Sequence, residues 1–329
     1  MKHISILLPK GAILGSLEGS RQLFTQVNHF FMAKGEPPLF NVQLVGLTDE
    51  VSLTGGQFTA HSSAVISDVK KTDLIIIPAL DGDIEKAVEA NLEFIPWIVK
   101  QYENGAEVAS LCMGAFLLAS TGLLRGRKCA THWMAVNDFR RMFPDVNLVT
   151  EKIITDEHRI YSSGGAFSYL NLILHLIEKY AGRDMAVLSA KVFAIEIERD
   201  SQQSFTIFQG QKSHEDSVVR KAQEFIEKNY ADKISIEQLT DMLAVSRRAF
   251  ERRFKKATAN TVSEYIQRVK VEAAKASLES SGENVNEVMY NVGYTDPKAF
   301  RGTFKRITGL SPLQYRSKFK REVLREEMA

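Results

Sequence analysis

Through the first two hundred residues, short apolar runs alternate with longer stretches in which apolar positions recur every three to four residues. The runs at residues 4–8, 42–47, 74–78 and 108–111 are dominated by Ile, Val, Leu and small residues and predict strands. Leu74-Ile75-Ile76-Ile77 is apolar at successive positions, as a central parallel strand covered on both faces must be. Helical periodicity predicts helices over 22–32, 84–101, 114–121 and 169–180, and strand and helix in alternation imply an α/β domain with a mainly parallel sheet and flanking helices. A further helix is expected to end near Arg199, before the polar stretches Asp200-Ser201-Gln202-Gln203-Ser204 and Gln209-Gly210-Gln211-Lys212-Ser213-His214. Beyond them the pattern is helical only. The expected organisation is an α/β domain at 1–200, a linker at 201–215 and an all-α domain at 216–329.

The all-α part repeats itself. Ile236, Leu239, Leu243 and Ala244 correspond to Val285, Val288, Val292 and Gly293 at an offset of 49, and Ser246, Phe250, Phe254, Lys255, Thr258 and Tyr265 to Asp296, Phe300, Phe304, Lys305, Thr308 and Tyr315 at an offset of 50. One extra residue in the second turn accounts for the change. In each copy a short amphipathic helix meets Ala244 or Gly293, where a tight turn tolerates little bulk, and a second helix starts at Ser246 or Asp296, both good N-caps, with Pro297 at N1 of the second copy. These are the parts of a helix-turn-helix.

In the second helix of the first copy, Phe250 and Phe254 share an inward face and leave Arg247, Arg248, Glu251, Arg252, Lys255 and Lys256 outside. The matching helix of the second copy buries Phe300 and Phe304 and presents Lys298, Arg301 and Lys305. A helix apolar on one side and cationic on the other suits the major groove of double-stranded DNA, though half or more of such contacts go to phosphate rather than to base edges. Residues 262–278, uninterrupted by Gly or Pro, predict a rigid spacer helix of about 25 Å between the two units, which sets two recognition helices about one DNA turn apart.

Charge sharpens this reading. The formal net charge of +2 conceals an asymmetry: residues 216–329 hold 22 lysines and arginines against 16 acidic residues, whereas the remainder holds 20 against 24. A length of 329 residues suits two domains, and 44% hydrophobic with 25% charged residues is ordinary globular composition. Two cysteines give no disulfide framework, the apolar run at 4–8 is too short for a signal peptide, and no stretch approaches the ~20 apolar residues of a membrane span, so a cytoplasmic chain is expected. The histidines show no metal-ligand spacing and Gly55-Gly56 reads as a hairpin turn, so neither metal nor cofactor is expected.

The run Val245-Ser246-Arg247-Arg248-Ala249-Phe250-Glu251-Arg252-Arg253-Phe254, with Val292-Gly293-Tyr294, Phe304-Lys305-Arg306, Gly309-Leu310-Ser311-Pro312 and Tyr315-Arg316, resembles the paired helix-turn-helix module of the AraC/XylS family. The resemblance implies a transcription regulator, with activation the commoner mode and RNA polymerase among its partners. Gly302 departs from the family, which often has Arg there, and an interior glycine costs about 1 kcal/mol of helix; the second unit is therefore expected to read bases weakly and mainly hold phosphates.

In the α/β part, Ser110-Leu111-Cys112-Met113-Gly114 joins a predicted strand to a predicted helix. Small residues two before and two after Cys112 allow a nucleophile elbow, which places the thiol at a helix N-terminus, where its pKa is expected to fall; His132 stands as a possible base. With Gly114-Ala115-Phe116-Leu117-Leu118-Ala119-Ser120-Thr121-Gly122 and Ser162-Ser163-Gly164-Gly165, this stretch resembles the class I glutamine-amidotransferase-like superfamily of PfpI type, which implies a flavodoxin-like fold. The combination resembles GlxA-type regulators, in which the α/β domain is taken as a sensor. Gln22 occupies a position where enzymes of the superfamily usually offer Glu, and an amide cannot take a proton as a carboxylate does. Two functions follow: a regulator that binds a small-molecule effector at Gln22, Cys112, Met113 and His132 and dimerises through this domain, or a Cys112-dependent hydrolase or amidase fused to a DNA-binding module. Gln22 favours the first.

Overall fold

Successive side chains of a strand point to opposite faces of its sheet, and the apolar strands of this chain use both. The computed structural model describes residues 1–197, 201–212 and 214–320. Arg199, Asp200 and Ser213, which figured in the expected helix end and linker, lie outside the described residues. The chain divides into two units, Met1–Gln202 and Gln203–Ala329.

In chain order the first unit consists of β1 (Lys2–Leu8), α1 (Leu14–Ala33), β2 (Phe40–Gly46), β3 (Glu50–Leu53), β4 (Phe58–His61), β5 (Ala64–Val65), β6 (Leu74–Ile77), α2 (Ile84–Glu89), α3 (Phe94–Glu103), β7 (Glu107–Leu111), α4 (Ala115–Ser120), β8 (Lys128–Cys129), α5 (Val136–Met142), β9 (Asn147–Leu148), β10 (Ile154–Glu157), β11 (Ile160–Ser163), α6 (Tyr169–Ala181) and α7 (Arg183–Phe193). Seven strands form one sheet in the order β10-β11-β7-β6-β1-β2-β5, parallel throughout except for the antiparallel β10–β11 pair. Ile4, Ile6, Leu74 and Ile76 pack on one face with Phe24, Leu172 and Ile173; Leu7, Ile75 and Ile77 pack on the other with Phe94, Phe116 and Phe139. Helices thus cover both faces, the doubly wound arrangement in which ligand sites form at the carboxyl ends of the strands.

Two helices differ from expectation. The helix expected over 84–101 is two, because buried Asn91 uses its side chain to pair with Lys10 N and O at 2.9 Å each and with Ala87 O at 2.7 Å, fixing the chain between α2 and α3 outside a continuous helix. Helix α1 begins eight residues before the expected start, where Gly15 and Gly19 dilute the apolar periodicity. Residues Gly55 and Gly56 do lie in the tight connection of an antiparallel hairpin, β3–β4.

The second unit is helical: α8 (Ser217–Lys228), α9 (Ile236–Leu243), α10 (Arg247–Thr258), α11 (Val262–Ser280), α12 (Val285–Asn291), α13 (Pro297–Thr308) and α14 (Pro312–Phe319). Ser246 and Asp296 cap α10 and α13 by accepting from Ala249 N and Lys298 N, and Thr261 with Glu264 forms a capping box at the start of α11. Each copy of the repeat has its own small core, Phe250, Phe254, Val262 and Tyr265 in the first, Phe300, Phe304, Leu278 and Tyr315 in the second, and α11 contributes to both.

Residues 203–212, expected as linker, pack along this unit. Phe205 meets Phe319 edge-on at 5.6 Å under the Lys318 ammonium, Lys275 Nζ donates to Thr206 O at 2.6 Å, Phe208 N donates to Glu272 Oε2 at 3.0 Å, and Asn260 Nδ2 donates to Gln211 Oε1 at 3.0 Å. The segment therefore touches the second copy, the spacer and the first copy in turn. Among the described residues no helix is long and apolar enough to cross a membrane.

Candidate nucleic-acid interface and the cysteine elbow

The faces of α10 and α13 follow from their phenylalanine pairs. With Phe250 and Phe254 fully buried, Arg248, Arg252 and Lys255 fall at i, i+4 and i+7 on the opposite side, and all three are exposed. Lys256 is exposed beside them. Among the described residues none of these four makes an ion pair, whereas Arg247 is held by Glu237 at 2.7 Å and Glu251 at 3.2 Å. Glu251 is half-buried and serves as a tether for Arg247. Arg253 turns the other way and forms a two-pronged pair with Asp216 at 2.8 and 2.7 Å, fastening α10 to the cap of α8.

On α13, Lys298, Arg301 and Lys305 are exposed at i, i+3 and i+7, also without ion pairs among the described residues. Arg248 and Lys298 occupy equivalent places, as do Lys255 and Lys305; Arg252 is matched by Gly302. A Cβ at Gly302 would meet nothing within 4 Å, so packing does not require the glycine. Its effect is to remove a long cationic reach from the middle of the second helix.

Both turns adopt left-handed backbone, Ala244 at φ +51° and Gly293 at φ +73°. At Gly293 the glycine is also a spatial necessity, because a Cβ would collide with the carbonyl oxygen of Ala231. Sequence reasoning missed the group in contact with this turn, Lys270, which is buried on α11 with its ammonium against backbone carbonyls. The available signal was a lysine among the inward positions of a helix whose neighbours Val271, Ala274 and Leu278 are core residues.

The elbow in the first unit has the expected backbone and different chemistry. Cys112, at φ +52°, follows β7 directly as the first residue of a 3-10 turn, Cys112–Gly114, that runs into α4. Gly114 is required, since a Cβ there would strike the carbonyl oxygens of Pro78 and Ile77 at the end of β6. Cys112 N donates to Ser163 Oγ at 3.4 Å, and Thr131 Oγ1 donates to Cys112 O at 3.1 Å. The thiol, however, is only 4% exposed, and burial pushes its pKa up to about 11, against a small opposing effect of the Met113 N–H. The expected fall in pKa is thus corrected: a three-residue turn supplies little field, and desolvation of the thiolate outweighs it.

The other expected pocket residues are not joined to the thiol. His132 Nδ1 accepts from Met134 N at 3.2 Å, its ring lies 5.5 Å from that of Trp133, burial lowers its pKa, and no hydrogen bond links it to Cys112 among the described residues. Gln22 is exposed on α1, where its Nε2 donates to Glu18 Oε1 at 2.9 Å. Glu18 is gripped by Arg21 through two contacts of 2.7 Å, which keep its carboxyl below the usual range and make it a poor proton donor. Met113 is half-buried. Among the described residues no three His, Cys, Asp or Glu side chains cluster as a metal would require.

A consequence is testable by alkylation. At pH 8 a thiol of pKa about 11 is roughly one-thousandth thiolate, so iodoacetamide should modify Cys112 in the folded chain far more slowly than an unfolded cysteine, with a rate that climbs with pH beyond 9. A rate that levels off below pH 8 would show that burial does not raise the pKa of this thiol.

Comparison with known proteins places both halves. A helix-turn-helix domain family matches residues 239–318, and the DJ-1/PfpI family matches residues 38–179. The "Uncharacterized HTH-type transcriptional regulator in cgkA 5'region" of Pseudoalteromonas carrageenovora is 33% identical over 122 residues, 37% of this chain and 72% of that protein. The chain belongs to the HTH-type transcriptional regulators. Across nearly its whole length the regulator is similar to the HTH-type transcriptional regulator CdhR of Pseudomonas aeruginosa, 24% identical over 314 residues, 95% of this chain and 90% of that one. Its α/β unit shares the fold of an AraC family transcriptional regulator from Pseudomonas putida, with TM-score 0.50, 15% identity, and coverage of 59% of this chain and 100% of that one. The regulator is thus a DNA-binding transcription factor with a flavodoxin-like DJ-1/PfpI unit, and relatives matched along most of the chain are regulators rather than enzymes.

Proposed function

We propose that the regulator reads two successive major-groove segments on one side of a DNA duplex, with α10 as the main base reader and α13 as a weaker one. The observation that carries this is the pair of duplicated helices, each anchored by two buried phenylalanines and each leaving a cationic face free of ion pairs among the described residues. Arg248 and Arg252 have the forked donors that match guanine O6 and N7, while Lys255, Lys256 and Lys305 suit phosphate. Lys298 and Arg301 serve the second groove segment, and Gly302 limits what that helix can discriminate. The five other cations, Lys255, Lys256, Lys298, Arg301 and Lys305, predict a salt dependence of about −4.5 in log affinity against log salt concentration if each neutralises a phosphate, at roughly 0.9 per phosphate. Fluorescence anisotropy of the full chain on duplex DNA from its own promoter checks this; a slope near −2 would mean that most of these side chains stay in solvent.

The α/β unit is the sensor in this reading. Support comes from the elbow at the carboxyl end of β7, beside β6 and β11, where doubly wound sheets place ligands. Cys112, Met113 and His132 border that end of the sheet, and with a protonated thiol Cys112 acts there as an apolar lining group rather than a nucleophile. Gln22, exposed on α1, is assigned to the same pocket in this reading. Dimerisation through this unit, contact with RNA polymerase and activation of transcription complete the proposal, and a cytoplasmic location accords with two unpaired buried cysteines. Denaturation midpoints measured in the presence of amino acids, amines and other small metabolites identify the effector class.

A further inference from the structure

Two helix-turn-helix units read one bipartite site only if their spacing and rotation are fixed. A spacer helix fixes the distance, but a second contact is needed to stop each unit from rocking about its end. That contact is visible where the turn of the second copy approaches the loop before α9. Gly293 lies so close to Ala231 that a side chain would strike the Ala231 carbonyl oxygen, and Lys270, 7% exposed on the middle of α11, reaches into the same seam.

Its ammonium donates to Val292 O at 3.0 Å, Gly293 O at 3.2 Å and Asp232 O at 3.3 Å. Two of these carbonyls belong to the turn of the second copy and one to the loop that leads into the first. A lysine has three N–H donors and all three are accounted for, with the Tyr294 ring 5.6 Å away. The seam also borders a cavity of about 310 Å³ lined by Ile234, Ile236, Ile266 and Gln267, and Tyr230 of the same loop packs on the core of the second copy, so the polar contacts of Lys270 act together with an apolar one. Val292 is buried, so its carbonyl left without a donor would be costly, and no other side chain donates to these three carbonyls among the described residues.

We infer that Lys270 is a positioning residue that sets the register between the two recognition helices, clamping the second turn to the first copy through backbone carbonyls. It touches no DNA in this assignment, which rests on the two-segment reading above. Its role is to make the protein selective for one separation of the two groove segments.

The test is a spacing series with the full-length chain: the promoter duplex it protects, and the same duplex with one to five base pairs inserted between the protected segments. The wild type is expected to lose at least tenfold in affinity at half a turn of displacement. K270M, which keeps the apolar stem and removes all three donors, is expected to bind the native spacing about tenfold more weakly and to vary less than about threefold across the series. K270Q, with two donors, falls between them, and K270R restores selectivity. A K270M chain with wild-type melting and a wild-type spacing profile overturns the role of Lys270 alone, whereas a wild type indifferent to spacing overturns the two-segment reading as well. Unfolding of both K270M and K270Q would make Lys270 a residue of the fold instead of its register, and would also overturn the assignment.

Discussion

Arg248→Ala and Arg252→Ala are each expected to weaken specific binding by about 1–3 kcal/mol, roughly 5- to 150-fold, with a much smaller loss on scrambled DNA. The two side chains lie one helical turn apart on the outward face of α10, exposed and without ion pairs among the described residues, so nothing must be broken before they enter a groove. Arg247 provides the internal contrast. Its guanidinium is occupied by Glu237 and Glu251, and releasing it to DNA forfeits those contacts. Arg247→Ala should therefore cost less than either neighbour. Competition binding on cognate and scrambled duplexes decides the matter, and equal losses on both for Arg248 and Arg252 would make them phosphate anchors.

Phe304→Ala should cost about 3–5 kcal/mol of stability. The ring is fully buried, 5.8 Å from Phe300 and 5.4 Å from Tyr315, at the centre of the small core of the second copy. Because α11 belongs to both small cores, the loss should appear as reduced cooperativity in the denaturation of the second unit as well as a lower midpoint. A change under 1 kcal/mol would mean that the second copy is not held by this core.

Local signals were legible in the sequence. The caps at Ser246 and Asp296, the turns at Ala244 and Gly293 and the phenylalanine pairs depend on residues within one or two helical turns of each other, and the structure places them as the repeat implied. Properties set by distant residues were not legible. The break between α2 and α3 is made by Asn91 bonding to Lys10, eighty-one positions away. The Cys112 elbow could be read from its small neighbours, but its thiol pKa depends on burial supplied by the whole sheet. Polar composition made residues 203–212 look like a free connection, although Phe205 and Phe208 among the polar residues were the sign of a segment that binds. Lys270 was hidden for a related reason: its partners are main-chain carbonyls, which leave no trace in residue identity.

Hydroxyl-radical footprinting of the full-length regulator on its own promoter tests the central claim most directly. Two recognition helices carried by one rigid spacer should protect two segments centred about one helical turn apart, ~10 base pairs, on the same side of the duplex. Protection at the α10 segment should be the stronger, given Arg252 there and Gly302 at the equivalent place in α13. A single protected segment, or two on opposite sides of the duplex, would contradict the account.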